Sequence, residues 1–234
     1  MADVKEEEIL GLAITHHWYY VSKAAALIGL IRGPYNALLD VGAGSGFFAK
    51  TLIIHGAVSQ ATCVDRCYPE PVRTEMVSGE TVRFIRQIDR LETDIVLMMD
   101  VLEHVEDDKA LICEYMAKVP SGTIFVFSVP AFMALWSQHD VFLEHRRRYT
   151  LRQLETIIAS SGLRVTKGCY YFAIILPLVA IVRRLTNKHA PASSLKIHTA
   201  FTNFLLRAIC SMELRFYRFN RWGGLTIFCV AMKP

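Results

Sequence analysis

Three groups of residues in this 234-residue sequence have types and spacing that suit chemistry. The first is a glycine loop, Gly42, Gly44 and Gly46, inside LLDVGAGSG, with one acid before it (Asp40) and another (Asp65) 19 residues after Gly46. Glycines let a backbone turn tightly and approach a ligand that a Cβ would exclude. A carboxylate at 65, ending the next strand, suits a ribose diol gripped by two charge-assisted hydrogen bonds. A carboxylate at 40 suits a ligand with an ammonium group and would repel a pyrophosphate. The second group is Asp100, Glu103 and His104. Three roles are open to it: holding a divalent cation, supplying a general base at His104, or orienting its own loop. The third group is Trp136, Ser137, His139, Asp140, His145, Arg146, Arg147, Arg148 and Tyr149. His139 and Asp140 are the residue types of a base and its orienter. The arginines suit a phosphate or carboxylate, or a solvated run beside a helix cap.

The elements around these groups alternate. Residues 4–31 read as a helix ended by Gly33-Pro34. Short apolar runs at 37–41, 61–64, 82–85, 95–99 and 123–129 read as strands, mostly separated by helical segments, the pattern of a parallel sheet covered on both faces. Thr150 is placed to cap a helix through 160, and Gly162 to stop it. Two further strands, 163–171 and 225–232, flank about fifty residues that a hairpin would not need. That insertion holds an apolar run, a polar loop at 187–194 and a helix over about 196–217. The expected organisation is a helical cap at 1–34, a core of 35–172 with 222–234, and a helical insertion at 173–221.

Composition narrows the classes. Hydrophobic residues make up 53% of the chain, high enough to suggest apolar surface that meets something other than water. The net charge of +4 allows contact with anionic lipid or a phosphorylated substrate, and no dense basic stripe points to nucleic acid. The six cysteines form no C-x-x-C pair and mostly lie in apolar runs, which reads as a reducing, cytoplasmic setting. The acidic start, MADVKEEEIL, is unlike a signal peptide. The longest apolar run, 169–182, has 14 residues and contains Pro177, whereas a spanning helix needs roughly 20.

LLDVGAGSG at 38–46, VD at 64–65 and DVLEHV at 100–105 resemble the class I S-adenosylmethionine (SAM)-dependent methyltransferases, over about residues 16–172 and the last strand. The acid before the loop likewise favours SAM over a dinucleotide. The resemblance implies an α/β, Rossmann-like seven-stranded sheet with an antiparallel last strand and SAM across the carboxyl ends of its first strands. It implies that Asp40, Gly42, Ala43, Gly44 and Gly46 serve the methionine part, Asp65 with Arg66 the ribose, and the Gln87-Ile88-Asp89 turn the adenine, with Asp100 beside the sulfonium. HHWYYVSK at 16–23 resembles a subgroup in which this element folds over SAM, so Trp18 would cover the cofactor and Lys23 pair with its carboxylate. The alternative there is a packed amphipathic helix with a surface lysine.

D-x-x-E-H at 100–104 is similar to the E-x-x-E-H of ubiquinone-biosynthesis O-methyltransferases, where the triad implies a metal. Here Asp shortens the first reach by one methylene. H-D-x-x-x-E-H-R-R-R-Y-T at 139–150 resembles a branch acting on small molecules, lipids or glycans. The implied activity is methyl transfer from SAM to a small-molecule or lipid-linked acceptor, on a hydroxyl oxygen. N- or C-methylation is the alternative, and a catalytically silent SAM-binding scaffold at a membrane is the alternative of another class. Residues 170–221, apolar and then basic, are expected to form a helical lid that encloses an apolar acceptor or docks peripherally on a membrane, unless both helices pack on the sheet or a second subunit.

Overall fold

The computed structural model describes residues 10–31, 33–186 and 199–234. Its strands are β1 (Tyr35–Val41), β2 (Val58–Val64), β3 (Val72–Val77), β4 (Glu80–Ile85), β5 (Ile95–Met99), β6 (Ile124–Pro130), β7 (Arg164–Tyr171) and β8 (Thr226–Met232). They form one sheet in the order β3-β4-β2-β1-β5-β6-β8-β7. Strands β4, β2, β1, β5 and β6 run parallel, and β8 lies antiparallel between β6 and β7. The central strands are continuous apolar runs because both faces are covered, and all five residues of β5 are buried.

The sheet has eight strands rather than the expected seven. The additional one, β3, pairs antiparallel with β4 through the Ser78-Gly79 turn. It sits at the edge and is largely exposed, so it carries neither an apolar run nor a clean alternation that would mark it in the sequence.

The helices are α1 (Trp18–Leu30), α2 (Phe47–Ile54), α3 (Asp108–Lys118), α4 (Gln138–Phe142), α5 (Leu151–Ser160), α6 (Leu176–Thr186) and α7 (Ala200–Glu213). Side chains alternate across the sheet: Leu38 joins a core with Leu27, Phe48 and Leu52, while Leu39 joins one with Ile112, Leu154 and Ile158. Helix α5 begins as expected, with Thr150 and Gln153 forming a reciprocal capping box.

Two helical expectations change. The first helix starts at Trp18, not near residue 4: His17 caps it by accepting from the Tyr19 amide, and Gly11–Thr15 form a 3-10 turn. Residues 4–9 of the expected helix lie outside the described residues. In the insertion, α7 ends at Glu213 and a separate 3-10 turn, Tyr217–Phe219, follows. The expected loop at 187–194 and the first residues of the expected second helix also lie outside the described residues. Helix α7 packs on α1: the Asn203 side chain accepts from the Trp18 amide at 2.6 Å and donates to the His16 carbonyl at 2.6 Å. Among the described residues no helix is long and apolar enough to cross a membrane.

Candidate functional site

The carboxyl ends of β1, β2, β5 and β6 bring the three groups together. After β1 the chain turns through Gly42, Gly44 and Gly46, all at positive φ, into α2. A Cβ on Gly42 would stand 2.8 Å from the Val101 side chain, and one on Gly46 2.9 Å from Phe84. Both positions therefore require glycine for their backbone angle and for space. Asp65 closes the loop from β2, accepting from the Gly44 amide at 3.3 Å and the Cys67 amide at 2.9 Å, while the Tyr68 hydroxyl donates to the Gly44 carbonyl at 2.7 Å. Asp40 is buried beneath the loop. Burial first, and then the nearby Asp65 carboxylate, raise its pKa to about 7 against a hydrogen bond from the Ala49 backbone.

Arg66 and Asp89 line one cavity of about 730 Å³ with Gln87, Ile88 and Tyr115. Arg66 is exposed and turns toward Glu114, 3.9 Å away. A second, apolar groove of about 760 Å³ runs between α1 and α2, lined by Ala24, Ile28, Phe47 and Ile54. None of the acids singled out above borders it.

Helix α1 is anchored over this end of the sheet by a buried ion pair. Lys23 is fully buried, and its ammonium donates to Asp100 and, at 3.3 Å, to the Tyr19 hydroxyl. Ser128 on β6 donates to the other Asp100 oxygen at 3.0 Å. Burial works to lower the Lys23 pKa, but Asp100, with Tyr19 and Glu103, outweighs it and the net shift is upward. Lys23 is thus neither a surface lysine nor a free partner for a ligand carboxylate, because a fully buried ammonium needs an anion in the fold itself. Trp18 packs edge-on against Phe172, on which Tyr19 stacks. Of the five non-glycine residues with positive φ among the described residues, Asp100, Phe132, Glu144 and Phe172 lie on this side of the molecule, where strained backbone tends to accompany function.

The remaining polar residues arrange differently from expectation. Asp140 does not orient His139. Fully buried at the start of α4, it accepts from Ser137, from His145 Nδ1 at 2.9 Å and from Arg148 Nε at 2.7 Å. Burial opposes its charge, but His145 and Arg148 hold its pKa well below the carboxylate range. The imidazole so oriented is His145, whose ring meets His104 edge-on at 4.7 Å. Burial, together with His145, lowers the His104 pKa to about 3. Burial and Arg183 likewise lower that of His139 to about 3.

The expected metal trio is not what the fold gathers. Among the described residues, the His, Cys, Asp and Glu side chains that bring ligand atoms within 4.8 Å of one another are Glu103, His104 and His145. Asp100 is committed to Lys23 and Ser128. The three arginines each have partners within the fold. Arg146 donates to the His104 carbonyl, Arg147 to the carbonyls of Val105 and Glu106 and to Asp108, and Arg148 to Asp140 and the Ala131 carbonyl. Arg146 and Arg147 lash the loop after α4 to the segment after β5, and Arg148 ties it to α4 and to the end of β6.

His145 was visible in the sequence but received no role. The useful mark was its spacing of five from Asp140, enough for the chain to turn back through Glu144, at φ 60°, onto the carboxylate.

Among the described residues, buried side-chain polar atoms without a hydrogen-bond partner occur on Trp18, Asp40, Glu103 and His104. Such atoms are rare in native structures and call for a reason. All four residues lie at this one site; the sequence marks Asp40, Glu103 and His104 by type and spacing, and Trp18 through the resemblance of its segment. A ligand bearing an ammonium group would answer the unpaired Asp40 oxygen beneath the glycine loop, so the residues present fit SAM.

Comparison with known proteins agrees. The family model described as a methyltransferase domain matches residues 16–167. Among curated protein sequences none matches. Solved structures similar to this chain include a SAM-dependent methyltransferase of Thermotoga maritima described as a possible histamine N-methyltransferase. That structure has 16% identity, 99% of this chain and 96% of that one covered, and a TM-score of 0.57. A SAM-dependent methyltransferase of Archaeoglobus fulgidus matches at 17% identity, 97% of each chain and a TM-score of 0.54. Phosphoethanolamine N-methyltransferase 2 of Haemonchus contortus, solved with SAM, matches at 12% identity over 91% of this chain and 52% of that one, with a TM-score of 0.52. At these identities the likeness is one of fold. The chain belongs to the methyltransferase domain family, among the class I SAM-dependent methyltransferases.

Proposed function

We propose that this enzyme transfers the methyl group of SAM to a hydroxyl oxygen of a small-molecule or lipid-linked acceptor, with the paired imidazoles of His104 and His145 receiving the proton. The observation that carries this reading is the line Asp140–His145–His104, ending in a half-buried imidazole whose buried Nε2 has no partner among the described residues. SAM supplies a methyl group already activated by its sulfonium. The protein's task is to align the acceptor oxygen behind that carbon and remove one proton. As the oxygen–carbon bond forms, the hydroxyl proton becomes strongly acidic, so a weak base is sufficient. His104, kept neutral by burial, offers its Nε2 to that proton. Beside it lies the ring of His145, which Asp140 fixes in orientation. This transfer needs no cation. Asp40 and the glycine loop hold the methionine end, Asp65 the ribose, and Trp18 covers the cofactor.

A second reading, methylation of an amine, draws on Glu103. It is fully buried, both oxygens lack partners among the described residues, and burial followed by Asp100 raises its pKa well above the usual range. A cationic acceptor would meet it favourably. One experiment separates the readings: incubation with methyl-labelled SAM and a cell extract, with the labelled product identified by NMR as an O-methyl or N-methyl group. Asp140→Asn and His104→Ala should retain SAM binding and lose most turnover. Normal turnover in both would remove the histidine relay, and an absence of any labelled product would favour a silent SAM-binding scaffold.

A further inference from the structure

Between residues 173 and 222 the sequence holds eight lysines and arginines and one acid, Glu213, so the rest of the chain is net acidic. The fold turns that one acid inward. Glu213 accepts from the Ala173 amide at 2.8 Å and the Ile174 amide at 3.2 Å, tying the entry of α6 to the end of α7. The outer surface of this segment therefore presents bases without acids among its described residues, and Arg184, Arg207 and Arg215 are all exposed.

The same surface is apolar. On α7 the inward face is Leu206, Ile209 and Cys210, which join the core with α1. The outward face carries Phe201, Phe204, Leu205 and Met212, and the chain beyond it adds Phe216, Phe219 and Trp222. The five aromatic residues of this outer set are each 70–84% exposed. On α6, Leu178, Ile181 and Val182 are also exposed, at the spacing of one helical face. Isolated exposed hydrophobics are ordinary, but a run of large ones along one helix and its exit is not.

We propose that the outer face of α7 and its exit, together with the exposed side of α6, docks on an anionic lipid surface. Phenylalanine and tryptophan would enter the boundary between headgroups and acyl chains, and Arg207 and Arg215 would meet phosphates. Arg183, the first basic residue after the apolar run, takes no part. Its guanidinium donates to the Leu135 carbonyl and lies 4.0 Å from Asp140. A lipid bilayer fits better than a second copy of the chain because the face is uniformly basic and would repel itself across a twofold axis. The Asn203 bonds to His16 and Trp18 place the docking helix one contact away from the helix that carries Lys23, so a docked enzyme would hold its site close to the lipid surface.

The test needs no turnover and is independent of the acceptor. Co-sedimentation is measured with phosphatidylcholine vesicles, with and without phosphatidylglycerol. Each basic residue near an anionic surface contributes about fivefold in partitioning, so Arg207→Glu/Arg215→Glu should weaken binding to the anionic vesicles about 30-fold or more. Raised salt should weaken it as well. Phe204→Glu/Phe219→Glu should weaken it at least about 10-fold, with SAM affinity measured by calorimetry as the control for folding. If that variant does not fold, the arginine variant still decides. Absence of wild-type binding to anionic vesicles, binding indifferent to lipid charge and to the arginines, or a dimer in sedimentation velocity that Phe204→Glu/Phe219→Glu dissociates, would each overturn the proposal.

Discussion

Asp100→Asn tests the ion pair that fixes α1 to the end of β5. Lys23 is fully buried, with Asp100 as the anion at its ammonium and the Tyr19 hydroxyl accepting from it at 3.3 Å. Burial alone would lower its pKa, and the carboxylate of Asp100 reverses the sign. A lysine whose folded pKa lies above its unfolded value of about 10.4 contributes stability that is complete below that pH and is lost only as pH rises through the folded pKa. The wild-type pair is therefore constant between about pH 6 and about pH 9. In Asp100→Asn burial becomes the leading influence, the folded pKa drops below the unfolded one, and the fold loses stability as pH falls. Removing one partner of a buried pair costs about 3–5 kcal/mol, which for a chain of this size lowers Tm by roughly 6–20 °C. Calorimetric melting across that pH range should give a variant Tm that rises with pH while the wild-type Tm does not follow this trend. Lys23→Met/Asp100→Asn removes the stranded ammonium and should recover much of the loss. An unchanged Tm in Asp100→Asn, or a loss the double variant leaves intact, would refute the reasoning.

Three further outcomes are expected. Asp65→Ala should weaken SAM binding by about 1–3 kcal/mol, the usual loss for hydrogen bonds to a charged group, as read by calorimetry; an unchanged affinity in the folded variant would remove the ribose assignment. Gly42→Ala and Gly56→Ala both place alanine at positive φ, but only the first meets a side chain. Both should therefore lose about 1–2 kcal/mol of stability from backbone strain, and only Gly42→Ala should also lose SAM binding; equal binding in the two would show that the cradle is not tight. Finally, the Asp40 pKa of about 7 makes cofactor binding pH-dependent. An ammonium group beside Asp40 favours its carboxylate, so SAM affinity should rise between about pH 6 and about pH 8 with proton release approaching one per site, whereas flat affinity would separate Asp40 from the ammonium.

Much of this molecule is written locally. The glycine loop is legible because a tight strand-to-helix turn under a ligand admits only glycine at positions such as Gly42 and Gly46, whatever the rest of the chain does. The buried parallel strands are legible as apolar runs, and α5 by its Thr150–Gln153 cap, because each of these depends on neighbours in sequence. Strand β3 was not legible, since an exposed edge strand is defined by its pairing with β4 and not by its own pattern.

The sequence by itself likewise singles out Asp40, Glu103 and His104 by type and spacing, and the fold gathers them at the carboxyl ends of the strands. Only the tertiary structure decided who meets whom. Lys23 and Asp100 stand 77 residues apart in sequence, and a buried charge takes whichever opposite charge the packing of α1 brings to it. Asp140 serves His145 rather than the adjacent His139, because side chains next to each other on a helix point in different directions. Its capping bonds to Ser137 aim the carboxylate at the returning chain instead. The arginines at 146–148, so like an anion site in one dimension, donate to backbone carbonyls and carboxylates that only folding brings within reach.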